Sequence, residues 1–251
     1  MADDNQFLKY SRYAIGEIVL VVIGILIAFY INNWFENQET EIQELRYLER
    51  LKDDITQDIL YYQDRIENLE RQIEDNLYAT QMAHKHQRNK EELKELLICY
   101  SYGSGYLTIQ NDTYSEMNNT GNFSIIKNND LKVAIIRLYR SAEGYAKHIK
   151  EYNEFTVSLM KDTETATTLT KYYAEIYLVD TYLNVVDSKK VFYDSEWKFI
   201  NDPTSYKFRV LENCIMNYII KHRTLLPYYK ILKSDSESII ALINDELKNR
   251  H

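Results

Sequence analysis

Residues 14–31 read AIGEIVLVVIGILIAFYI, a run in which Glu17 is the lone charge. Tyr13 stands before it and Trp34 just after it. At about 1.5 Å of rise per residue, a helix of this length crosses a hydrocarbon core of about 30 Å, helped by aromatic flanks at the interfaces. A signal peptide has a shorter apolar core followed by small residues at its cleavage site. Here the run ends in Tyr30, Ile31, Asn32, Asn33, Trp34 and Phe35, which offer no such site. The expectation is an uncleaved transmembrane helix over residues 13–34.

Its flanks set the direction. Residues 1–12 hold Lys9 and Arg12 close to the run, whereas Glu36, Glu39, Glu41 and Glu44 follow it before the first base, Arg46. Positive flanks stay in the cytoplasm. The short N-terminus is therefore expected inside and residues 35–251 outside, which in a diderm bacterium means an inner-membrane protein with a periplasmic domain.

Three residues of the span are candidates for contact with another membrane helix. Glu17 lies about one turn in. It either pairs with a partner inside the membrane or reaches back to the headgroups, gaining from the positive helix N-terminus, and its position favours the second. Gly24 and Ala28 form a small-xxx-small pair, which lets two helices approach closely.

The order Tyr13, Ala14, Ile15, Gly16, Glu17, Ile18, then Leu20, Val21, Val22, then Gly24, Ile25, Leu26, Ile27, Ala28, then Asn32, Asn33, Trp34 resembles the opening of a bacterial family. Its members are uncharacterised single-pass membrane proteins with a helical extracytoplasmic region. Thr113, Tyr114, Ser115, Glu116 and the later Gly121, Asn122, Phe123, Ser124, Ile125, Ile126, Lys127, Asn128 and Leu131 look like the same family more loosely. Phe35 stands where that family carries a polar residue. The resemblance implies location and layout, and no activity.

The 251 residues include six glycines and two prolines, two of the glycines inside the span. Sheets need turn residues every 8–12 positions or so. The chain is therefore expected to be all-α. With 45% hydrophobic and 27% charged residues it can bury a core and is no disordered tail. A net charge of −8, with bases scattered among acids, speaks against nucleic acid as a partner.

Beyond the membrane, Leu45, Leu48, Lys52, Ile55, Ile59, Tyr62, Ile66, Leu69, Ile73 and Asn76 recur at alternating steps of three and four, a coiled-coil-like seam. The spacing predicts a stalk ending in a turn at His84, Lys85, His86, Gln87, Arg88, Asn89 and Lys90. A second helix is expected over 91–100, disturbed by Gly103 and Gly105. A short helix within 111–129 is expected to end at Gly121 in a left-handed cap. A third helix, capped by Asn129 or Asp130, carries the ladder Leu131, Ile135, Leu138, Ala142, Tyr145, Ile149, Tyr152, Thr156 and Leu159. A fourth is expected from beyond Asp162 to Val186, followed by a less regular stretch with Trp197. A fifth, from Thr204 or Ser205, presents Phe208, Leu211, Ile215, Tyr218, His222 and Leu225, until Pro227 ends or kinks it. The last begins at a capping box, Ser234, Asp235, Ser236 and Glu237. The sum is one N-terminal transmembrane helix continuing into a long-helix stalk and an antiparallel helical bundle.

Catalytic patterns are missing. There is no phosphate-cradling glycine loop, nucleophile elbow or H-E-x-x-H. His84 and His86 stand two apart with no third ligand near, and His148 and His222 read as packing residues. No metal, cofactor or enzymatic role is expected. Cys99 and Cys214 either form one bridge or remain two buried thiols; side-by-side helices lie about 8–10 Å apart, which favours thiols. The 23 tyrosines suit either a narrow core or a contact surface. The polar, weakly charged region 111–129 is the preferred partner-binding site, with Tyr114, Asn118, Asn119 and Asn122 as its candidates, although a plain connector would also use asparagine.

The resulting expectation is a non-catalytic envelope scaffold, accessory subunit or interaction protein. Its partners would be the lipid bilayer and another membrane or envelope protein, or a second copy. The alternatives are a small-molecule sensor acting through a partner membrane protein and, further off, an envelope hydrolase or lyase.

Overall fold

The computed structural model describes residues 4–85, 105–167 and 198–250. Among these residues the chain is helical with no strand. Helix α1 spans Asp4–Ala83, α2 Asp112–Thr120, α3 Asn129–Thr167 and α4 Tyr206–Arg250, with short 3-10 turns at Asn122–Ile125 and Lys198–Asn201. The helix expected over 91–100, most of that expected to reach Val186, and Gly103, His86, Trp197 and Cys99 lie outside the described residues.

Helix α1 is unbroken for 80 residues, about 120 Å at 1.5 Å per residue. Its N-terminal part is exposed on every side from Ile18 to Phe35 apart from half-buried Asn33, and it is long and apolar enough to cross a membrane. Packing begins where the apolar run has ended. From Glu44 onward one face of α1 is buried along α4. The two run antiparallel, with Glu44 beside Arg250, Glu70 beside Lys230 and His84 beside Glu212. Helix α3 also packs antiparallel on α4, so α4 is the central element of the bundle.

The buried face of α1 departs from the expected ladder. Leu48, Ile55, Tyr62, Leu69 and Asn76 are buried as read, but Leu45, Lys52 and Ile59 are half-buried. The intervening rungs belong to Glu44, Leu51 and Asp58, each one residue earlier. Apolar periodicity alone favours Leu45 and Ile59, whereas the structure draws the carboxylates of Glu44 and Asp58 inward because backbone N–H groups await them there.

Helix α4 corrects a second expectation. Pro227 neither ends the helix nor separates two elements. The buried positions His222, Leu225, Tyr229, Leu232, Ser236, Ile239 and Ile243 keep alternating steps of three and four across it, while Pro227 itself faces solvent. Two packed flanks in one phase hold the helix together despite the missing N–H. Ser236, expected in a capping box, is instead a buried interior position.

Other boundaries follow local chemistry. Gly121 ends α2 at φ 74°, the left-handed cap expected there. Helix α3 is capped one residue earlier than read: Asn128 Oδ1 accepts from Leu131 N–H at 3.1 Å. It then runs through Asp162 without a break, to Thr167. Thr156, Thr163 and Thr167 are buried on it, and each hydroxyl donates to the carbonyl four residues back. Ser205 caps α4 by accepting from Phe208 N–H at 3.2 Å.

Candidate functional site

Residues 105–128 form a strap that descends along α1, antiparallel to it, on the side of the bundle where α3 also lies. Gly105 lies against Arg65, Gln110 meets Asp58, Thr113 meets Asp54 and Lys127 meets Glu44. Irregular backbone inside a bundle must have its polar groups satisfied. Carboxylates of α1 do this for the donors: Asp58 accepts from Gln110 N–H at 2.8 Å, Asp54 from Thr113 N–H at 3.3 Å and Glu44 from Lys127 N–H at 2.7 Å. Side-chain donors do it for the carbonyls. Tyr61 donates to Tyr106 O at 2.7 Å, Tyr139 to Gln110 O at 3.1 Å and Asn153 to Gly105 O at 2.8 Å.

Burial raises Asp58 to about 7, opposed by the Gln110 N–H and assisted by the nearby charge of Asp54. The same burial pushes the Tyr62 and Tyr139 phenols well above their usual range. Further down, Arg50 and then Tyr47 hydrogen-bond the exposed Glu116 and hold its carboxyl below the usual range.

The lower end is closed by a clasp of charges. Glu44 is completely buried and accepts from Arg250 as well as from Lys127 N–H. Glu246 lies 3.0 Å from the other terminal nitrogen of Arg250, Nη2, and accepts from Asn128, while Lys127 Nζ stands 3.6 Å from Glu41. This clasp sits where α1 leaves the bundle.

The partner-binding candidates divide. Tyr114 is half-buried, stacked on Tyr139 at 4.1 Å with Phe123 edge-on at 5.2 Å. Asn122 donates to Tyr47 Oη at 2.9 Å, so these two side chains hold the strap down. Asn118 and Asn119 are exposed on α2 and available to a partner. Glu17, Gly24 and Ala28 are exposed on the free part of α1, and a Cβ at Gly24 would meet nothing within 4 Å. Cys214 is buried on α4. His84 is exposed and pairs with Glu212 at 2.8 Å.

The described residues contain no group of three or more His, Cys, Asp or Glu side chains placed to hold a metal ion. A groove of about 510 Å³ opens between the end of α3 and the start of α4, lined by Leu159, Asp162, Thr163, Ala166, Tyr206 and Val210. It brings a single carboxylate and no base to one place.

Sequence reasoning missed Glu44, Asp54, Asp58, Arg65, Tyr139, Asn153 and Lys221. Glu44 and Asp58 are 14 residues apart and share heptad register with Leu51, a signal that charged rungs had entered the seam.

A family model covers residues 17–205, most of the chain, and carries the description of a family of unknown function, DUF6090. The chain belongs to DUF6090. The matched range takes in nearly all of the apolar run, the stalk, the strap and α3. No curated protein matches the chain, and no solved structure does.

Proposed function

We propose that this DUF6090 chain is a single-pass protein of the bacterial inner membrane, whose helical bundle works without catalysis as a scaffold, accessory subunit or interaction module. The observation supporting this is the continuity of α1. One helix carries an apolar segment exposed on all sides and, without a hinge, the face on which the bundle assembles. An all-round apolar helix needs an apolar environment, and lipid supplies it. Lys9 and Arg12 before the segment and four glutamates after it orient the N-terminus inward and the bundle toward the periplasm.

Two surfaces suit a protein partner. Gly24 and Ala28 let a second span approach within the membrane. Asn118 and Asn119 present amides on α2, which Glu116 and the following Asn122 tie to Tyr47 of α1. The partner is another envelope protein or a second copy of this chain. Photoreactive residues at position 28 and at Asn119 in the full chain, activated in intact membranes, test the reading. A discrete adduct from either position is the expected result, and recovery of the chain solely as a monomer from both overturns it.

A further inference from the structure

Part-way along the bundle, Lys221 of α4 is buried with 3% of its surface exposed. Its ammonium carries three donors but hydrogen-bonds one described acceptor, Thr156 Oγ1 at 3.3 Å, and lies 5.5 Å from the centre of the Tyr218 ring. No carboxylate among the described residues pairs with it. The charge that acts on it is another cation, Arg65 of α1.

Arg65 is itself half-buried, and its Nε has no partner. Its guanidinium lies against Gly105, where an added Cβ would come within 2.6 Å of Nη2. Around these cations stand further buried polar atoms. Asn153, 1% exposed, donates to Gly105 O while its own Oδ1 has no partner. The buried Tyr229 hydroxyl lies beside Tyr61 and Arg65, and Arg65 lies 5.9 Å from the centre of its ring. The buried carboxylates of α1 are engaged elsewhere: Glu44 with Arg250, and Asp58 with Gln110 N–H.

A buried cation is normally neutralised or paired. Lys221 and half-buried Arg65 meet the same turn of α3: Lys221 donates to Thr156, and Arg65 lies against Gly105, whose carbonyl accepts from Asn153 three residues before Thr156. We propose that Arg65 and Lys221 form a binding site for a small oxyanion, the carboxylate or phosphate group of a small molecule, with the Tyr229 hydroxyl as a neutral donor and Thr156 holding the Lys221 ammonium in place. Half-exposed Arg65 connects the site to solvent, and its planar guanidinium presents paired donors matched to two oxygens of one ligand group. Desolvation, then the charge of Arg65, lowers Lys221 to about 8, so it still carries its proton at neutral pH. Desolvation, then Lys221 and Arg65, pushes the adjacent His222 down to about 3, so it adds no third charge. This site goes beyond the anchoring and docking roles proposed above and stands whether or not the chain spans a membrane.

Thermal melts of the full chain in detergent at pH 7 test it, with potassium phosphate, acetate or chloride at matched ionic strength. Phosphate or acetate is expected to raise the melting temperature saturably, while chloride does not; which of the two acts tells phosphate from carboxylate recognition. Lys221→Met is expected to abolish the response and to melt above the parent in chloride, because an unpaired buried charge is gone. Gly105→Ala, which displaces the Arg65 guanidinium without touching Lys221, is expected to weaken binding about tenfold or more. Lys221→Arg keeps the charge and is expected to keep a response, which covers the case in which Lys221→Met does not fold. Equal shifts in all three salts, no shift in any, or an unchanged response in Gly105→Ala overturns the proposal.

Discussion

Arg250, at the C-terminal end of α4, donates to the buried carboxylate of Glu44, 206 positions earlier in the chain. The Glu44 side chain is 1% exposed and that of Arg250 15%, so the pair is shielded from water at the point where α1 leaves the bundle. It fastens the last turn of the bundle to the helix that continues toward the apolar segment. Removing one partner of such a pair strands a buried charge.

Arg250→Met is therefore expected to destabilise the bundle by about 2–3 kcal/mol in urea unfolding followed by circular dichroism. Glu44→Gln in the same chain should recover part of the loss, since an amide oxygen still accepts from Lys127 N–H. A double variant as unstable as the sum of the two singles would show that Glu44 and Arg250 act independently.

Asp58 makes stability depend on pH. The folded chain holds its proton up to about pH 7, against an ordinary value of 3.8, so it binds more protons than the unfolded chain between the two. The contribution of this group is thus most favourable at low pH and is lost as pH rises through about 7. Asp58→Asn keeps an acceptor for Gln110 N–H and cannot ionise. It should add about 1–3 kcal/mol at pH 8 and far less at pH 5, read from urea midpoints. An equal effect at both values would contradict the assigned cause.

Pro227 faces solvent inside a continuous helix, so its cost is the missing backbone donor. Restoring that donor with Pro227→Ala is expected to stabilise the chain by about 1–3 kcal/mol. A neutral result would mean that the helix is already broken there.

Gly121 occupies a left-handed conformation at φ 74°, and a Cβ there would meet nothing within 4 Å. Gly121→Ala should therefore cost about 1 kcal/mol, from backbone strain alone. A loss several times larger in a thermal melt would mean that the strap is displaced as well.

Much of the architecture was legible because apolar periodicity reports burial directly. Leu131, Ile135, Leu138, Ala142 and Ile149 of α3 and Phe208, Leu211, Ile215 and Leu225 of α4 are buried as their spacing predicts. The left-handed cap at Gly121 was readable for the same local reason. Other features depend on partners distant in sequence. Glu44 and Asp58 look like surface acids until the strap brings N–H groups to them. The uninterrupted α4 contradicts the ordinary meaning of proline, although the phase of Leu225, Tyr229 and Leu232 across Pro227 already contained the answer. Lys221 was illegible. Nothing in its neighbourhood along the chain says that a lysine beside His222 is buried next to Thr156 rather than in water.

Alkaline carbonate washing of membranes carrying the full chain tests most directly whether the exposed apolar part of α1 is held in lipid. Retention of the intact chain in the membrane pellet is the predicted result. Its release into the supernatant would contradict the account.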